Sequence, residues 1–138
     1  MLKRILVAFD GSEPAMRAFR MALELAEPLR AELIVLAVAQ LPEPAAMVES
    51  SAMLESATEH YEGDFQKLRE LAASAGNAID TRVVVGHAAE QIVHHAAEEH
   101  ADLIVMGHRG KSLVERWLLG SVSKRVISYA PCSVLIAR

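Results

Sequence analysis

The sequence lacks the features that mark secreted, disulfide-stabilised or membrane proteins. It has a single cysteine, Cys132, so no internal disulfide can form. Its first residues, MLKRILVAFDGS, turn polar at Asp10, which is too early for the apolar region of a signal peptide or for a membrane span. These features predict a soluble cytoplasmic protein with no membrane association.

Aromatic residues and positive charge are also scarce. Phe, Trp and Tyr make up 4% of the chain. Lys and Arg number 14 against 18 Asp and Glu, so the formal net charge of −4 repels polyanions such as DNA. A nucleic-acid partner is therefore not expected.

Small and branched aliphatic residues supply most of what is present. Hydrophobic residues make up 52% of the 138 residues, and most are Ala, Val, Leu and Ile. This composition is typical of an α/β protein whose helices pack closely on a sheet. The length suits one domain with a real core, so we expect a single domain over residues 1–138.

Apolar runs alternate with helical periodicities along the chain. The runs predict strands at residues 5–9, 33–39, 81–85, 103–106 and 133–137. Amphipathic spacing predicts helices at residues 12–29, 54–72, 88–100 and 121–129, with a loop at 41–51. Crossovers of this length favour parallel pairing. We therefore predict an α/β fold, an open doubly wound five-stranded parallel sheet with helices on both faces.

The first two predicted helices have well-marked apolar faces. Ser12 is the expected N-cap of the first. The residues expected to be buried are Ala15, Ala18, Phe19, Ala22, Ala26 and Leu29 in the first helix, and Leu54, Ala57, Tyr61, Phe65, Leu68 and Ala72 in the second.

Glycines follow the predicted fourth strand in a regular pattern. Two residues separate Gly107 from Gly110, and after nine more residues Gly120 and Ser121 open a predicted helix. Glycine allows positive φ and close approach to a ligand, and a helix N-terminus offers free amides and the positive end of a dipole. The pattern predicts a phosphate cradle. If Asp10, after the first strand, flanks the same crevice, the strand order is 3-2-1-4-5.

Basic side chains accompany this pattern. His108, Arg109 and Lys111 lie in or beside the loop and could neutralise phosphate charge. Lys124 and Arg125 are expected on a solvated helix face instead.

Five segments together resemble the universal stress protein family over nearly the whole chain: ILVAFDGS, GHAAEQIV, ADLIVMGHRG, LLGSVSKRVI and APCSVLIAR. The resemblance implies a Rossmann-like α/β fold and a homodimer. It also implies membership of the ATP-binding branch, because the Gly-x-x-Gly, nine residues, Gly-Ser pattern is complete. The family commonly has proline where this chain has Ala88 and Ser133, both outside that pattern.

The resemblance assigns roles to individual residues. Asp10 would hold the ribose hydroxyls, and Ala8 and Val38 would border the adenine. The residues expected around the ribose and phosphates of ATP with Mg²⁺ are Met106, Gly107, Gly110, Gly120, Ser121 and Val122. Arg109 is added to this set for its charge beside the loop.

Simpler explanations exist for some of these residues. Asp10 could be only a turn residue ahead of the first helix, and Ser121 could be a plain N-cap. Cys132 is expected to be a small core residue rather than a nucleophile.

Histidines raise the question of a metal site. His87, Glu90 and His94 share one helical face and could in principle ligate zinc. No Cys or His partner lies at a conventional spacing, so no metal site of this kind is expected.

Three functions are consistent with this reading. The first is a nucleotide-dependent stress-response or signalling module, the second an ATPase or adenylyl transferase, and the third a structural or chaperone-like dimer. No residue stands out as a poised base, and no Walker or kinase motif is present. No structural reason for three glycines at this spacing is expected either. The first function, with little or no hydrolysis, is therefore the prediction.

The last predicted strand is a candidate dimer interface. It comprises Ser133, Val134, Leu135, Ile136 and Ala137, with no charge or proline to protect its amides at a sheet edge. Pairing with its copy in a homodimer would satisfy them.

Overall fold

A computed structural model describes residues 1–40, 50–108 and 119–138. The strands in these ranges are β1 (Arg4–Ala8), β2 (Glu32–Gln40), β3 (Ile79–Gly86), β4 (Leu103–Gly107) and β5 (Ser133–Ala137). The helices are α1 (Glu13–Leu29), α2 (Ser50–Ser74), α3 (Ala88–Glu98) and α4 (Ser121–Tyr129). Each predicted element is found with small differences at its ends, and most of the predicted loop at 41–51 lies outside the described residues.

The five strands are parallel and follow the order β3-β2-β1-β4-β5, which confirms the predicted doubly wound sheet. Val7 of β1 pairs with Val35 of β2 on one side and with Val105 of β4 on the other. The chain therefore proceeds outward from β1 in both directions, and β1 and β4 flank the point where the strand order reverses. The carboxyl ends of β1 and β4 are adjacent, as expected if Asp10 and Gly107 flank one crevice.

Two apolar layers cover the sheet, because alternate side chains of a strand point to opposite faces. The first core layer lies between the sheet and helices α1 and α2, and it includes Ile5 and Val7. The second core layer lies between the sheet and helices α3 and α4, and it includes Leu6 and Ile104. Both faces are thus covered by helices, which explains why the central strands are almost entirely apolar.

The predicted helix faces are largely confirmed. The buried residues are Ala15, Ala18, Phe19, Ala22 and Ala26 in α1, and Ala57, Tyr61, Phe65, Leu68 and Ala72 in α2. Leu29 was wrongly expected to be buried: it is 48% exposed, because it is the last residue of α1 and the chain turns at Arg30 with a φ of 53°. Leu54 is also exposed, since it lies in an early turn of α2 before the buried face begins at Ala57.

Candidate functional site

A cleft of about 540 Å³ opens at the carboxyl ends of β1, β2 and β4. This volume lies within the range of roughly 300–1,000 Å³ that is common for small-molecule sites. The first residues of α1, α3 and α4 border it. Its lining residues are Ala8, Phe9, Asp10, Ser12, Ala15, Leu36, Val38, Gln40, Ala88, Ile92, Met106, Gly107, Gly120, Ser121, Val122 and Ser123.

One end of the cleft is apolar. Leu36, Val38, Ile92 and Met106 belong to the second core layer or pack against it, and each also lines the cleft. The cleft therefore continues the core on the side of α3 and α4. The faces of a flat aromatic ring could pack there against aliphatic side chains.

The turn between β1 and α1 forms another wall. The Ser12 backbone N–H donates to Asp10 Oδ1 at 2.9 Å, and Gly11 between them has a φ of 82°, a conformation that favours glycine. Asp10 therefore does act as a turn residue. It also lines the cleft, so both explanations considered for it are compatible. Because one carboxylate oxygen is held by the turn, the direction of the side chain is fixed in advance.

Helix α2 supports this turn from behind. Phe9, Tyr61 and Phe65 form an aromatic cluster with ring centroids 5.8–6.4 Å apart. Tyr61 is 8% exposed, and its burial, together with the charges of Asp10 and Asp64, raises the pKa of its phenol. The phenol thus stays neutral beside the two carboxylates.

The N-terminus of α1 is already satisfied by the chain itself. Ser12, confirmed as its N-cap, accepts the Ala15 N–H on Oγ at 3.2 Å. Pro14 has no N–H to satisfy, and Glu13 places a negative charge near the positive end of the helix dipole. Little anion-binding capacity remains at this end.

The N-terminus of α4 is different. Gly120 is its N-cap, and no described side chain bonds to the amides of its first turn. That turn contains no acidic residue. Amides of Ser121 and Val122, the Ser121 hydroxyl and the positive end of the dipole therefore border the cleft together.

Packing requires glycine at position 107. This corrects the expectation that no structural reason explains the three glycines of the pattern. The φ of Gly107 is not positive. A Cβ placed on Gly107 would lie 2.7 Å from Pro14 Cβ and 2.9 Å from the Pro14 carbonyl oxygen. Only glycine lets the start of α1 approach the end of β4 this closely.

Gly120 lacks such a reason among the described residues. Its backbone is extended, with φ −62° and ψ 155°, which any residue can adopt. A Cβ there would meet the His108 carbonyl oxygen at 3.5 Å, an ordinary contact distance. Packing against the described part of the chain therefore leaves glycine at this position unexplained.

The structure brings most of the predicted site residues to this one cleft. Those that line it are Ala8, Asp10, Val38, Met106, Gly107, Gly120, Ser121 and Val122. Arg109 and Gly110, and also Lys111, lie outside the described residues.

Other lining residues were not predicted. Gln40 ends β2, and a polar residue after a buried strand is the same signal that identified Asp10. Ala88 was noted only as a departure from the family, yet it borders the apolar end. Nothing in the sequence marks Ser123 as a site residue, because serine is common in the first turn of a helix.

The histidines, the acidic residues and Cys132 were the other candidates for a functional site. In the part of the chain that the structure describes, no three His, Cys, Asp or Glu side chains come together as metal ligands. Cys132 packs against the second core layer, and burial together with the charge of Asp102 raises the pKa of its thiol, so little thiolate is present at neutral pH. None of the described helices is long and apolar enough to cross a membrane.

Fold and cleft together define a doubly wound α/β domain with its cleft at the switch point of the sheet, where such domains place their ligands. The chain belongs to the universal stress protein family, whose profile matches residues 1–138. Universal stress protein MJ0531 of Methanocaldococcus jannaschii is 37% identical over 139 residues, which cover 99% of this chain and 82% of that protein.

Solved structures agree with this assignment. The hypothetical protein MJ0577 superposes with a TM-score of 0.86 at 30% identity, over 99% of this chain and 96% of that one. A universal stress protein in complex with cAMP superposes with a TM-score of 0.76 at 27% identity, over 99% of this chain and 97% of that one. The predicted family is thereby confirmed.

Proposed function

We propose that this protein binds ATP with Mg²⁺ in the cleft and acts in the cytoplasm as a nucleotide-dependent stress-response or signalling module, with little or no hydrolysis. The proposal treats residues 1–138 as one domain. The observation that carries it is the N-terminus of α4, which no described side chain caps and which borders a cleft that is otherwise lined largely by apolar residues. A nucleotide combines groups that fit both features, anionic phosphates for the helix terminus and a flat, uncharged aromatic base whose faces can pack on apolar side chains.

Each part of the nucleotide has a counterpart in the cleft. The adenine would lie at the apolar end beside Ala8 and Val38. The ribose hydroxyls would donate to Asp10, whose carboxylate is already oriented by the Ser12 amide. The phosphates would accept from the open amides of Ser121 and Val122, and the side chain of Arg109 would add charge.

Mg²⁺ would enter with the phosphates, because it prefers phosphate and water oxygens in an octahedral arrangement. Among the lining residues, the Asp10 carboxylate and the Ser121 hydroxyl offer oxygen donors that could complete its coordination. The donor set is thus of the hard, oxygen type that this ion requires.

Support for an adenine nucleotide comes from the family. One solved relative is a complex with cAMP, which has the same base and ribose. Against hydrolysis, Asp10 is the only titratable side chain among the described lining residues, and one of its oxygens is held by the turn. Apart from Asp10, no described lining side chain can act as a general base toward an attacking water, which supports little or no hydrolysis.

Thermal unfolding with added nucleotides tests this proposal. At a hundredfold excess over its Kd, ATP with Mg²⁺ should stabilise the fold by about 2.7 kcal/mol, a shift on the order of 5 to 10 °C. ADP should shift the midpoint less and adenosine less again, because they offer fewer phosphate oxygens. No shift at millimolar ATP would contradict the proposal, and turnover above about 1 s⁻¹ would favour an enzyme.

Two substitutions at Asp10 separate its role in the turn from its role toward the ribose. Asp10→Asn keeps an oxygen that can accept the Ser12 N–H, whereas Asp10→Ala removes it. Both should weaken ATP binding, but only Asp10→Ala should also lower the stability of the free protein. Wild-type ATP affinity in both variants would exclude a contact between Asp10 and the ribose.

The proposed module is a homodimer formed through β5. Both edges of the sheet are strands, but β3 carries Asp80 and Arg82, whereas β5 carries no charge. Ile127 and Tyr129 of α4, close in sequence to β5, are also exposed. An uncharged edge beside exposed apolar residues is suited to pairing.

Light scattering at micromolar concentration should therefore give a dimer mass. Val134→Lys should give a monomer, because a charge would replace an apolar side chain at the new pairing. Thr81→Lys on β3 is the matched control at the other edge and should leave the dimer intact. A monomer mass for the wild type would refute this interface.

A further inference from the structure

Helix α4 carries a buried hydroxyl in its first turn. Ser123 is 3% exposed, and it and Val126 are the buried residues of this helix. Its Oγ donates to the Gly107 carbonyl oxygen at 3.4 Å, a long hydrogen bond. Burial of a hydroxyl costs free energy unless the group is bonded, so this carbonyl is the partner that makes serine acceptable here.

This bond joins the two halves of the glycine pattern. Gly107 ends β4, Gly120 precedes α4, and both line the cleft. Among the described residues, a backbone bond from the Gly120 N–H to the His108 carbonyl oxygen, at 3.4 Å, also connects these ends. Of these two described bonds, only the Ser123 bond is made by a side chain, and it can therefore be removed by substitution.

We infer that Ser123 is a positioning residue that holds the N-terminus of α4 against the end of β4 and so fixes the place where phosphates bind. The inference rests on the proposed function. A serine hydroxyl has a single hydrogen, and this one is directed to the Gly107 carbonyl. Ser123 therefore acts through the backbone, whereas the amides of Ser121 and Val122 contact the ligand.

If Ser123 has this role, removing its hydrogen bond should weaken the binding only of ligands that carry phosphates. Ser123→Ala removes the bond but leaves a small residue at a buried site. Its Kd for ATP should rise roughly 3- to 10-fold, the range for loss of one neutral hydrogen bond. Its Kd for adenosine, which lacks phosphates, should stay within about twofold of wild type.

Calorimetric titration of ATP and adenosine into the wild type and three variants tests this. Ser128→Ala is the matched control, because Ser128 lies on the same helix and its Oγ donates to the Lys124 carbonyl oxygen at 3.0 Å, away from the cleft. It should bind both ligands as the wild type does. Ser123→Cys keeps the shape and a weak donor, so its ATP affinity should fall between those of wild type and Ser123→Ala.

The outcomes separate this inference from the proposed function. ATP binding by the wild type and by Ser123→Ala with equal affinity would overturn the role of Ser123 and leave the proposed function standing. Equal losses for ATP and adenosine, or the same loss in Ser128→Ala, would show a general effect on α4 and also overturn it. A wild type that binds no ATP would overturn both. If Ser123→Ala fails to fold, the comparison of wild type with Ser123→Cys decides.

Discussion

Helices α1 and α4 both begin at the cleft, and their N-caps have nearly the same backbone conformation. Ser12 has φ −77° and ψ 164°, and Gly120 has φ −62° and ψ 155°. The side chains differ: Ser12 caps its own helix, whereas Gly120 has none to offer. In the free protein a side chain therefore caps the first turn of α1, whereas no described side chain caps the first turn of α4. The comparison separates a helix end that stabilises the fold from one left open to a ligand.

The largest effect is expected where the start of α1 meets the end of β4. Gly107→Ala should lower the free energy of unfolding by about 1–3 kcal/mol, because the new Cβ would overlap Pro14 at the start of α1. Urea unfolding of the free protein measures this change.

Gly63→Ala provides the control for that substitution. Gly63 lies inside α2, and a Cβ there meets no described atom within 4 Å. Alanine should therefore stabilise the protein by about 0.5–1 kcal/mol through helix propensity. If Gly107→Ala were as stable as the wild type, the contact with Pro14 would not be the reason for glycine.

Much of the fold could be predicted from the sequence because its signals are local. β1, β2 and β4 are buried on both faces, so each appears as an uninterrupted apolar run. The strand order required one inference from function, that Asp10 and Gly107 share a crevice, and the pairing of β1 with β4 confirms that order.

The site was less completely predictable because some of the contacts that shape it join residues far apart in the sequence. The contact between Gly107 and Pro14 joins residues far apart in the chain, so no spacing in the sequence shows it. The same holds for the bond from Ser123 to the Gly107 carbonyl oxygen. The glycine pattern that predicts a phosphate site therefore includes one glycine, Gly107, that packing requires.

An intermediate effect is expected at the α1 terminus. Ser12→Ala should cost about 1 kcal/mol of stability, because it removes the cap on the Ala15 N–H. The additional stabilisation by saturating ATP should be retained, since the Ser12 oxygen already serves the helix. A variant that kept its stability but lost the response to ATP would show that α1, rather than α4, contacts the phosphates.

The smallest change in stability, and the sharpest test of the comparison, comes from giving α4 the cap that α1 has. The extended backbone of Gly120 accepts serine, and its Cβ would meet the His108 carbonyl oxygen only at ordinary contact distance. Gly120→Ser should raise the stability of the free protein by about 0.3 kcal/mol, since serine is only slightly better than glycine as an N-cap. The new hydroxyl oxygen would accept an N–H of the first turn, and that N–H would no longer be free to donate to a phosphate. The variant should therefore gain less stability from ATP than the wild type does, while its response to adenosine is unchanged. Unfolding midpoints with and without each ligand measure both effects, and an undiminished ATP response would mean that the open amides of α4 do not bind the phosphates.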